Sequence, residues 1–317
     1  MSSIAVIGAG AWGTALALQA VRAGHAVTLW ARDPQPMRHT RINPRLPGVA
    51  LPAAIAVTAV LPRADIAVLA VPIQHLRAVL ADLPRPGSVV MAAKGLERDS
   101  LKLPLELVET MLGTVPACVL SGPNFAHEIA AGLPAAAVLA ADNADLRTAA
   151  IAALGTTAFR LYGSDDPVSV QIGGAAKNVI AIAAGIAIGA GLGENARAAL
   201  VTRGLAEITR LAEASGGRAA TVAGLSGLGD LMLTCAGAAS RNTSLGRALG
   251  EGQTLAEILA GRTTVAEGLA TAPALVARAA NAGIELPVCE AVAQILAGQA
   301  SVKQAITALL ARAGRNE

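Results

Sequence analysis

Residues 4–13 read IAVIGAGAWG, a short apolar run that leads directly into a G-x-G-x-x-G turn. The run predicts a β-strand, and residues 14–23, with no proline and almost no charge, predict the helix that follows. Strand, glycine turn and helix is the context in which this spacing binds a dinucleotide. Gly8 would permit the sharp turn, Gly10 would let the backbone approach the pyrophosphate, and Gly13 would let the helix pack on the strand. The alternative interpretation is an ordinary glycine turn in an α/β protein.

The size and composition are those of a folded protein with more than one domain. The 317 residues are enough for two domains with separate cores. Hydrophobic residues make up 54% of the chain and charged residues 15%, a balance that argues against intrinsic disorder. The mean hydropathy is +0.55, but the alanine- and glycine-rich stretch at residues 178–193 is shorter than the ~20 residues of a membrane-spanning helix. We therefore expect a buried core helix and no stable membrane insertion.

The N-terminus and the cysteines bear on the cellular compartment. The first charged residue is Arg22, so the start of the chain resembles a signal-peptide core, but it lacks a basic leader and residues 4–7 are better explained as a strand. Cys118, Cys235 and Cys289 form no C-x-x-C pair and no metal-binding spacing, which argues against disulfides and zinc. We expect small buried thiols, no metal, and a cytoplasmic protein.

The charge pattern limits the kinds of partner. The net charge is +3, the isoelectric point is near 9.0, and aromatic residues are only 2% of the chain. A nucleic-acid surface normally combines clustered basic residues with aromatic stacking platforms. The scattered charges therefore argue against a nucleic-acid partner, and they leave room for a few arginines around an anionic small molecule.

The first half of the chain alternates between predicted strands and helices, whereas the second half is almost entirely helical in pattern. Alternation is typical of a doubly wound parallel sheet. We predict an α/β protein with a Rossmann-like dinucleotide-binding domain at residues 1–169, an all-helical substrate domain at residues 170–317, and an active site in the cleft between them. The predicted strands are residues 4–7, 26–31, 66–71, 88–92, 115–120 and 135–140, and the predicted helices are residues 14–23, 74–82, 171–191, 194–215, 254–259, 272–282 and 288–298.

The end of the second predicted strand bears on the choice of cofactor. An NAD-specific site usually ends this strand with an acidic residue that binds the ribose 2′-hydroxyl. Here residues 29–31 (LWA) are followed by Arg32. Arg32 can pair with a 2′-phosphate or stack on adenine, whereas Asp33 with Pro34 reads as the start of a helix. The pattern predicts that NADPH is accepted well, with NADH as the other cofactor.

Polar residues after two of the predicted strands are candidates for ligand contacts. Lys94 follows the strand at residues 88–92, and the segment 121–126 (SGPNFA) follows the strand at residues 115–120. In open α/β sheets, ligands bind at the carboxyl ends of the strands. Taken alone, Lys94 would by default be interpreted as a solvated loop residue, and SGPNFA as a tight turn.

Lys177 is unusual because it lies, with Asn178, inside an otherwise apolar predicted helix. Burying an unpaired lysine is strongly unfavourable, so a lysine kept there must be paired or must serve a purpose. A lysine in a cleft is a suitable proton-transfer group. The alternative is a side chain that extends from the helix to water.

A second polar cluster lies further along the chain. Asp230 and Thr234 are one helical turn apart and therefore share a face of the predicted helix. Ser240, Arg241 and Asn242 follow, and the planar guanidinium of Arg241 matches the oxygens of a phosphate. Each residue alone reads as a cap or a surface residue. Together with Lys177 they describe a site for a phosphorylated substrate.

A series of separated motifs resembles the NAD(P)-dependent sn-glycerol-3-phosphate dehydrogenases of the bacterial type. The resemblance runs from Ile4 to about Pro287. The motifs, in the order found in that family, are GAGAWGTALA (8–17), AAKGLE (92–97), SGPNFAHEIA (121–130), GGAAKNVIAIAAGI (173–186), GLSGLGDLMLTC (224–235), SRN (240–242) and VAEG (265–268).

The resemblance implies roles for individual residues. Lys177 matches the proton-transferring lysine of the family, and Thr234 fits a supporting role beside Asp230. The positions that match substrate contacts are Lys94, Gly122, Asn124, Lys177, Asp230, Ser240, Arg241 and Asn242. The positions that match cofactor contacts are Ala11, Trp12, Arg32, Lys94, Ala126, Arg241, Val265 and Glu267, in addition to Gly8, Gly10 and Gly13 of the turn.

Two segments depart from the family pattern. Residues 43–48 (NPRLPG) are one residue shorter than the usual N-P-x-Y-L-P-G and lack its tyrosine, so a contact made by that aromatic ring is not expected here. Asn124 stands where serine or threonine is frequent, but its amide still offers both a donor and an acceptor.

The activity implied by the resemblance is the reversible reduction of dihydroxyacetone phosphate to sn-glycerol 3-phosphate by NAD(P)H, in a homodimer that supplies phospholipid synthesis. One alternative is another two-domain dehydrogenase, of the 3-hydroxyacyl-CoA or β-hydroxyacid type. The first of these would use a His–Glu pair, and all four histidines (His25, His39, His75 and His127) lie in the predicted first domain. The other alternative is a non-catalytic NADPH-binding sensor, which would not need Lys177, Asp230 and Arg241.

Overall fold

The computed structural model describes residues 2–237, 240–261 and 266–312. The chain divides into two compact units. The first, here called the α/β unit, comprises Met1–Lys94 and Lys102–Gln171, and the second, here called the helical unit, comprises Gly95–Leu101 and Ile172–Glu317. The α/β unit carries the sheet, and every regular element among the described residues of the helical unit is a helix. The predicted fold class is therefore confirmed.

The α/β unit is built on an eight-stranded sheet with the strand order β10-β9-β8-β7-β6-β1-β2-β5. The strands are β1 (Ser3–Ile7), β2 (Ala26–Trp30), β3 (Ile42–Asn43), β4 (Leu46–Ala50), β5 (Ile55–Thr58), β6 (Ile66–Leu69), β7 (Ser88–Met91), β8 (Ala117–Ser121), β9 (Ala135–Ala140) and β10 (Phe159–Ser164). Neighbouring strands of the sheet are parallel, except that β8 and β9 are antiparallel. Strands β3 and β4 form a separate antiparallel hairpin.

The central strand β1 is buried on both faces, because Ile4, Ala5, Val6 and Ile7 are each at most 1% exposed. A parallel sheet needs such continuous apolar strands, since helices cover both of its faces. The covering helices of this unit are α1 (Ala11–Arg22), α2 (Gln35–Thr40), α3 (Ile73–Asp82), α4 (Pro104–Leu112), α5 (Ala126–Ala131) and α6 (Ala144–Leu154).

The structure refines two of the predicted helix starts. Helix α1 begins at Ala11, directly after the glycine turn, rather than at residue 14. Helix α2 begins at Gln35, one residue later than the Asp33-Pro34 pattern predicts. The Asp33 carboxylate still accepts a hydrogen bond from the Gln35 N–H, at 3.1 Å, so it satisfies one of the free N–H groups at the helix start.

The helical unit is organised around one long helix, which begins in the α/β unit. The helices are α7 (Pro167–Gly189), α8 (Gly193–Ala214), α9 (Ala219–Val222), α10 (Asp230–Ala236), α11 (Arg241–Gly250), α12 (Leu255–Ala260), α13 (Glu267–Asn281), α14 (Pro287–Leu296) and α15 (Val302–Leu310), with a π-helical turn at Leu225–Gly229.

Helix α7 is apolar because most of it is buried inside the protein. By length and composition, two helical stretches among the described residues could cross a membrane, Pro167–Gly189 and Ala219–Ala236. In the first, 89% of the most apolar window is buried inside the protein. The second is interrupted by the π-helical turn. Helix α7 is therefore the buried core helix that its sequence predicts.

Helices α7 and α11 cross so closely that glycine is required on both. A Cβ atom at Gly185 would lie 2.1 Å from the carbonyl oxygen of Thr243, and one at Gly189 would lie 2.1 Å from that of Arg247. On the other helix, a Cβ atom at Gly246 would lie 2.0 Å from the carbonyl oxygen of Ile182. The alanine- and glycine-rich face of α7 is thus used inside its own unit. This crossing fixes the register between the two helices.

We expect Gly185→Ala to destabilise the protein by about 1–3 kcal/mol, as overpacking of a close-packed core does. The added methyl group would press on the backbone of α11, which cannot move without disturbing the rest of the helix. The measurement is the free energy of unfolding from urea titration. Gly261→Ala is the matched control, because the nearest atom to its added Cβ is 3.9 Å away. Equal stability of the two variants would contradict this account of the crossing.

Candidate active site

The glycine turn has the tight geometry that its sequence predicts. Gly8 has a φ of +115°, and a Cβ atom there would lie 2.8 Å from the carbonyl oxygen of Ala70. A Cβ atom at Gly13 would lie 1.9 Å from the carbonyl oxygen of Gly8. Neither position can carry a side chain without moving the backbone, so the start of α1 is held directly against the end of β1.

The start of α1 fits an anionic ligand. Gly10 is the N-cap residue, and no side chain caps the first turn, so its N–H groups are left without a side-chain acceptor. A Cβ atom at Gly10 would meet nothing within 4 Å, so the space beside this residue is open. The indole N–H of Trp12 is buried without a hydrogen-bond partner among the described residues. These groups suit the pyrophosphate of a dinucleotide.

The other predicted ligand residues of the α/β unit lie at the same edge of the sheet. Strands β1, β2, β6, β7 and β8 are parallel, so their carboxyl ends share one edge. Arg32 follows β2 and is exposed, Lys94 follows β7 and is partly buried, and Gly122 follows β8. The topology therefore brings these residues to the edge that carries the glycine turn, as expected for a ligand site in an open sheet.

At the end of β8 and just after it, two side-chain oxygen atoms lack a hydrogen-bond partner among the described residues. The Asn124 amide group donates to the carbonyl oxygen of Ala136 at 3.2 Å, while its own Oδ1 is buried without a partner among the described residues. The hydroxyl of Ser121 is in the same situation. Gly122 lets the segment approach β9, since a Cβ atom there would lie 2.8 Å from the Cα of Ala137. Ala126 is the first residue of α5.

The helical unit buries a lysine in direct contact with a carboxylate. Lys177 lies on α7 and is 9% exposed, and Asp230 is the first residue of α10 and is 1% exposed. The Lys177 ammonium donates to Asp230 Oδ1 and, at 3.0 Å, to the hydroxyl oxygen of Thr234. Burying two opposite charges is tolerable only with such close pairing and further hydrogen bonds. The lysine is therefore held by Asp230 and Thr234 rather than extended to water.

The backbone around Asp230 is held by unusual local structure. The π-helical turn closes with the Gly229 N–H donating to the carbonyl oxygen of Gly224 at 3.1 Å. A Cβ atom at Gly227 would lie 1.9 Å from the carbonyl oxygen of Val222, so this turn also requires glycine. Short π-helical segments of this kind are often found at functional sites.

A chain of hydrogen bonds links α7, α11 and α13. The Asn242 amide group donates to Asn178 Oδ1 at 2.9 Å, and Asn242 Oδ1 accepts from the Gly268 N–H at 3.0 Å. The Asn178 amide group donates to Glu267 Oε2 at 3.5 Å. Predicted substrate and cofactor residues are thus joined in one network. The sequence analysis gives Asn178 no role. Its position next to Lys177 in an otherwise apolar helix is the feature that could have identified it as a site residue.

The structure places the remaining predicted residues as follows. The Ser240 hydroxyl oxygen accepts from the Thr243 N–H at 3.2 Å and caps α11, so the hydroxyl hydrogen stays free to be donated. Arg241 is the first residue of α11 and is exposed. The Thr243 hydroxyl donates to the carbonyl oxygen of Thr234 at 2.6 Å and ties α11 to α10. Val265 lies outside the described residues.

The three cysteines are buried thiols, as the sequence predicts. Cys118, Cys235 and Cys289 are all free and buried. Burial raises the pKa of the Cys235 thiol to about 12, although the nearby Lys177 and Arg197 act in the opposite direction. A thiol with such a pKa stays protonated and is a poor nucleophile. Within the described part of the chain, no three His, Cys, Asp or Glu residues form a group that could hold a metal ion.

Comparison with known proteins gives the family. Residues 3–147 match the family model of the NAD-dependent glycerol-3-phosphate dehydrogenase N-terminus, and residues 166–307 match that of the C-terminus. A protein from Gluconobacter oxydans named glycerol-3-phosphate dehydrogenase (NAD(P)+) is 55% identical over 320 residues, which cover 99% of this chain and 98% of that protein. A protein of the same name from Acidiphilium cryptum is 55% identical over 317 residues, with coverages of 99% and 98%.

Solved structures agree with this assignment. The crystal structure of glycerol-3-phosphate dehydrogenase from Coxiella burnetii is similar with a TM-score of 0.93 and 38% identity, covering 98% of this chain and 99% of that one. A ketopantoate reductase from Ralstonia eutropha shares only the fold, with a TM-score of 0.61 and 17% identity over 95% of this chain and 99% of that one. The resemblance seen in the sequence motifs is confirmed, and the chain belongs to the NAD-dependent glycerol-3-phosphate dehydrogenase family.

Proposed function

We propose that this protein catalyses the reversible reduction of dihydroxyacetone phosphate to sn-glycerol 3-phosphate with NAD(P)H. The observation that carries the proposal is the buried Lys177–Asp230–Thr234 cluster, in a chain whose family is that of the glycerol-3-phosphate dehydrogenases. Replacing a buried ion pair by apolar residues of similar volume is often neutral or stabilising, so stability alone does not explain why this pair is present.

The α/β unit provides most of the proposed cofactor contacts. When bound, NAD(P)H supplies the hydride for the reduction. The N–H groups of the first turn of α1, which includes Ala11 and Trp12, would hold the pyrophosphate. Arg32 would face the adenosine ribose, where its cation favours a 2′-phosphate. The further proposed cofactor contacts are Gly8, Gly10, Gly13, Lys94, Ala126, Arg241, Val265 and Glu267.

Lys177 is the proposed proton donor. As the ketone of the substrate becomes an alcohol, its oxygen needs one proton, and a lysine ammonium can donate it. Asp230 and Thr234 hold the Lys177 nitrogen in place, since both lie within hydrogen-bond distance of it. In the reverse direction, the neutral amine accepts the proton from the alcohol. The Asp230 carboxylate stabilises the ammonium, so the charge on Lys177 is compensated inside the protein.

The phosphate of the substrate is assigned to the start of α11. Arg241 offers a planar, bidentate donor, and Ser240 and Asn242 flank it. Binding energy from a phosphate that does not react can be used to position the carbon that does. The remaining proposed substrate contacts are Lys94, Gly122 and Asn124.

The wider assignments belong to the same proposal. The protein is proposed to be cytoplasmic, to act as a homodimer, and to supply sn-glycerol 3-phosphate for phospholipid synthesis. These assignments are supported by the family resemblance and not by a contact within the chain.

The proposal is tested by following NADPH absorbance with purified protein. We expect rapid oxidation of NADPH with dihydroxyacetone phosphate and none above background with acetoacetyl-CoA or with a 3-oxo acid such as tartronate semialdehyde. Turnover of either of the latter would instead support one of the related dehydrogenase types. Binding of NADPH without turnover of any of these substrates would indicate a sensor.

Lys177→Ala should lower kcat by about 10²–10⁴-fold, the usual contribution of a positioned proton donor. Circular dichroism should show that the variant keeps its helical content. Lys303→Ala is the control, because Lys303 is an exposed lysine of α15. A Lys177→Ala enzyme with near wild-type turnover would exclude this residue as the proton donor.

Arg32→Ala should raise KM for NADPH more than KM for NADH, because only NADPH carries the 2′-phosphate that Arg32 would pair with. The measurement is initial rates with each cofactor at saturating dihydroxyacetone phosphate. Arg38→Ala is a useful control, since Arg38 is a nearby arginine whose Nε already donates to the carbonyl oxygen of Val57. Equal effects of Arg32→Ala on both cofactors would refute this role.

A further inference from the structure

Asn43 is a buried amide that connects a surface hairpin to the glycine turn. It is 2% exposed and lies on β3, in the segment that departs from the family pattern. Its amide group donates to the carbonyl oxygen of Ala9, at 3.0 Å, and to the hydroxyl oxygen of Thr14, at 2.6 Å. Ala9 lies inside the G-x-G-x-x-G turn, and Thr14 lies in the first turns of α1. One side chain therefore bridges both sides of the turn.

The orientation of this amide is fixed by a third contact. Asn43 Oδ1 accepts from the Arg45 N–H at 2.9 Å. Because the carbonyl oxygen of Ala9 can only accept, the NH₂ group must face the turn and the oxygen must face Arg45. Asparagine satisfies all three partners at once. Aspartate at this position would place a carboxylate oxygen against the carbonyl oxygen of Ala9.

The hairpin itself is firmly attached, so it can serve as a support. Leu46 on β4 is 4% exposed and belongs to the core of the α/β unit. The Arg41 guanidinium donates to the carbonyl oxygens of Leu51, at 3.2 Å, and Ile55, at 2.9 Å. These contacts join the hairpin to the segment that leads into β5. Asn43 is therefore backed by fixed structure on the side away from the turn.

We propose that Asn43 is a positioning residue that holds the glycine turn in the geometry that binds the dinucleotide pyrophosphate. The inference rests on the proposed cofactor role of that turn. Gly8 and Gly13 permit the turn sterically, but glycine has the largest conformational freedom of any residue and does not hold a turn by itself. The Asn43 amide restrains it through its hydrogen bonds to the carbonyl oxygen of Ala9 and the hydroxyl oxygen of Thr14. The support acts on a part of the site common to NADPH and NADH.

The test is the dissociation constant of each cofactor, measured by isothermal titration calorimetry on wild-type protein and on Asn43→Ala. We expect the variant to bind NADPH and NADH each about ten-fold more weakly, which corresponds to ~1.4 kcal/mol. The factor should be the same for both cofactors, because the turn contacts their shared pyrophosphate. The kcat for dihydroxyacetone phosphate at saturating cofactor should change much less than KM for the cofactor.

Further variants separate this role from a general loss of stability. Asn143→Ala is the matched control, because Asn143 caps α6 in the same unit by accepting from the Leu146 N–H at 2.8 Å. It should lower the melting temperature and leave both dissociation constants unchanged. If Asn43→Ala fails to fold, Thr14→Val is tested instead, because it removes the hydroxyl oxygen that accepts from Asn43. We expect it to raise the dissociation constants of NADPH and NADH by the same factor. Thr14→Ser keeps the hydroxyl and should bind both cofactors like the wild-type protein.

Two results would overturn the proposal. One is an Asn43→Ala or Thr14→Val protein that loses stability like Asn143→Ala but keeps the wild-type dissociation constants. The other is a change confined to NADPH, which would point to the 2′-phosphate region instead. A wild-type protein that binds neither cofactor would overturn the proposed function itself, and this inference with it.

Discussion

The buried pair of Lys177 and Asp230 places the strictest constraint on the helical unit, because each charge must be balanced inside the protein. Lys177 is 9% exposed and Asp230 is 1% exposed, so water can do little to compensate either charge. Each charge needs the other and a further hydrogen bond, which Thr234 provides at 3.0 Å. That arrangement requires α7 and α10 to be placed accurately. An apolar α7, which is held in register with α11 by backbone-to-backbone contact at Gly185, supplies the necessary rigidity.

The two units use the same combination of residues to hold closely packed backbone segments in place. In each, glycines allow backbones to approach within a distance that no side chain permits, and a buried asparagine then fixes the result. Gly8 and Gly13 form the turn in the α/β unit, where Asn43 bridges its two sides. In the helical unit, Asn242 links Asn178 to the start of α13. Polar groups on a backbone that is restrained in this way have little conformational freedom. Reactions that depend on the orientation of the reacting groups require this.

The parts of the fold and of the site that neighbouring residues specify could be predicted from the sequence. The strand, glycine turn and helix at residues 4–23 are specified by neighbouring residues, and the apolar run around Lys177 identifies a buried lysine. Strands β5 and β10 were not predicted. Both lie at an edge of the sheet, and β10 mixes polar and apolar residues, so it shows no continuous apolar run. The partners of Asn43 and Asn178 were also not predicted. An asparagine carries no pattern that reveals which distant carbonyl group it meets.

We propose that the buried pair of Lys177 and Asp230 is kept for proton transfer and not for stability. The direct measurement is the free energy of unfolding and the kcat of Lys177→Met, Asp230→Leu and the double variant. Lys177→Met should lose about 3–5 kcal/mol, because it leaves a buried carboxylate unpaired. The double variant should recover the wild-type stability while remaining as inactive as Lys177→Met. A double variant as unstable as Lys177→Met, or one that retains turnover, would contradict the account.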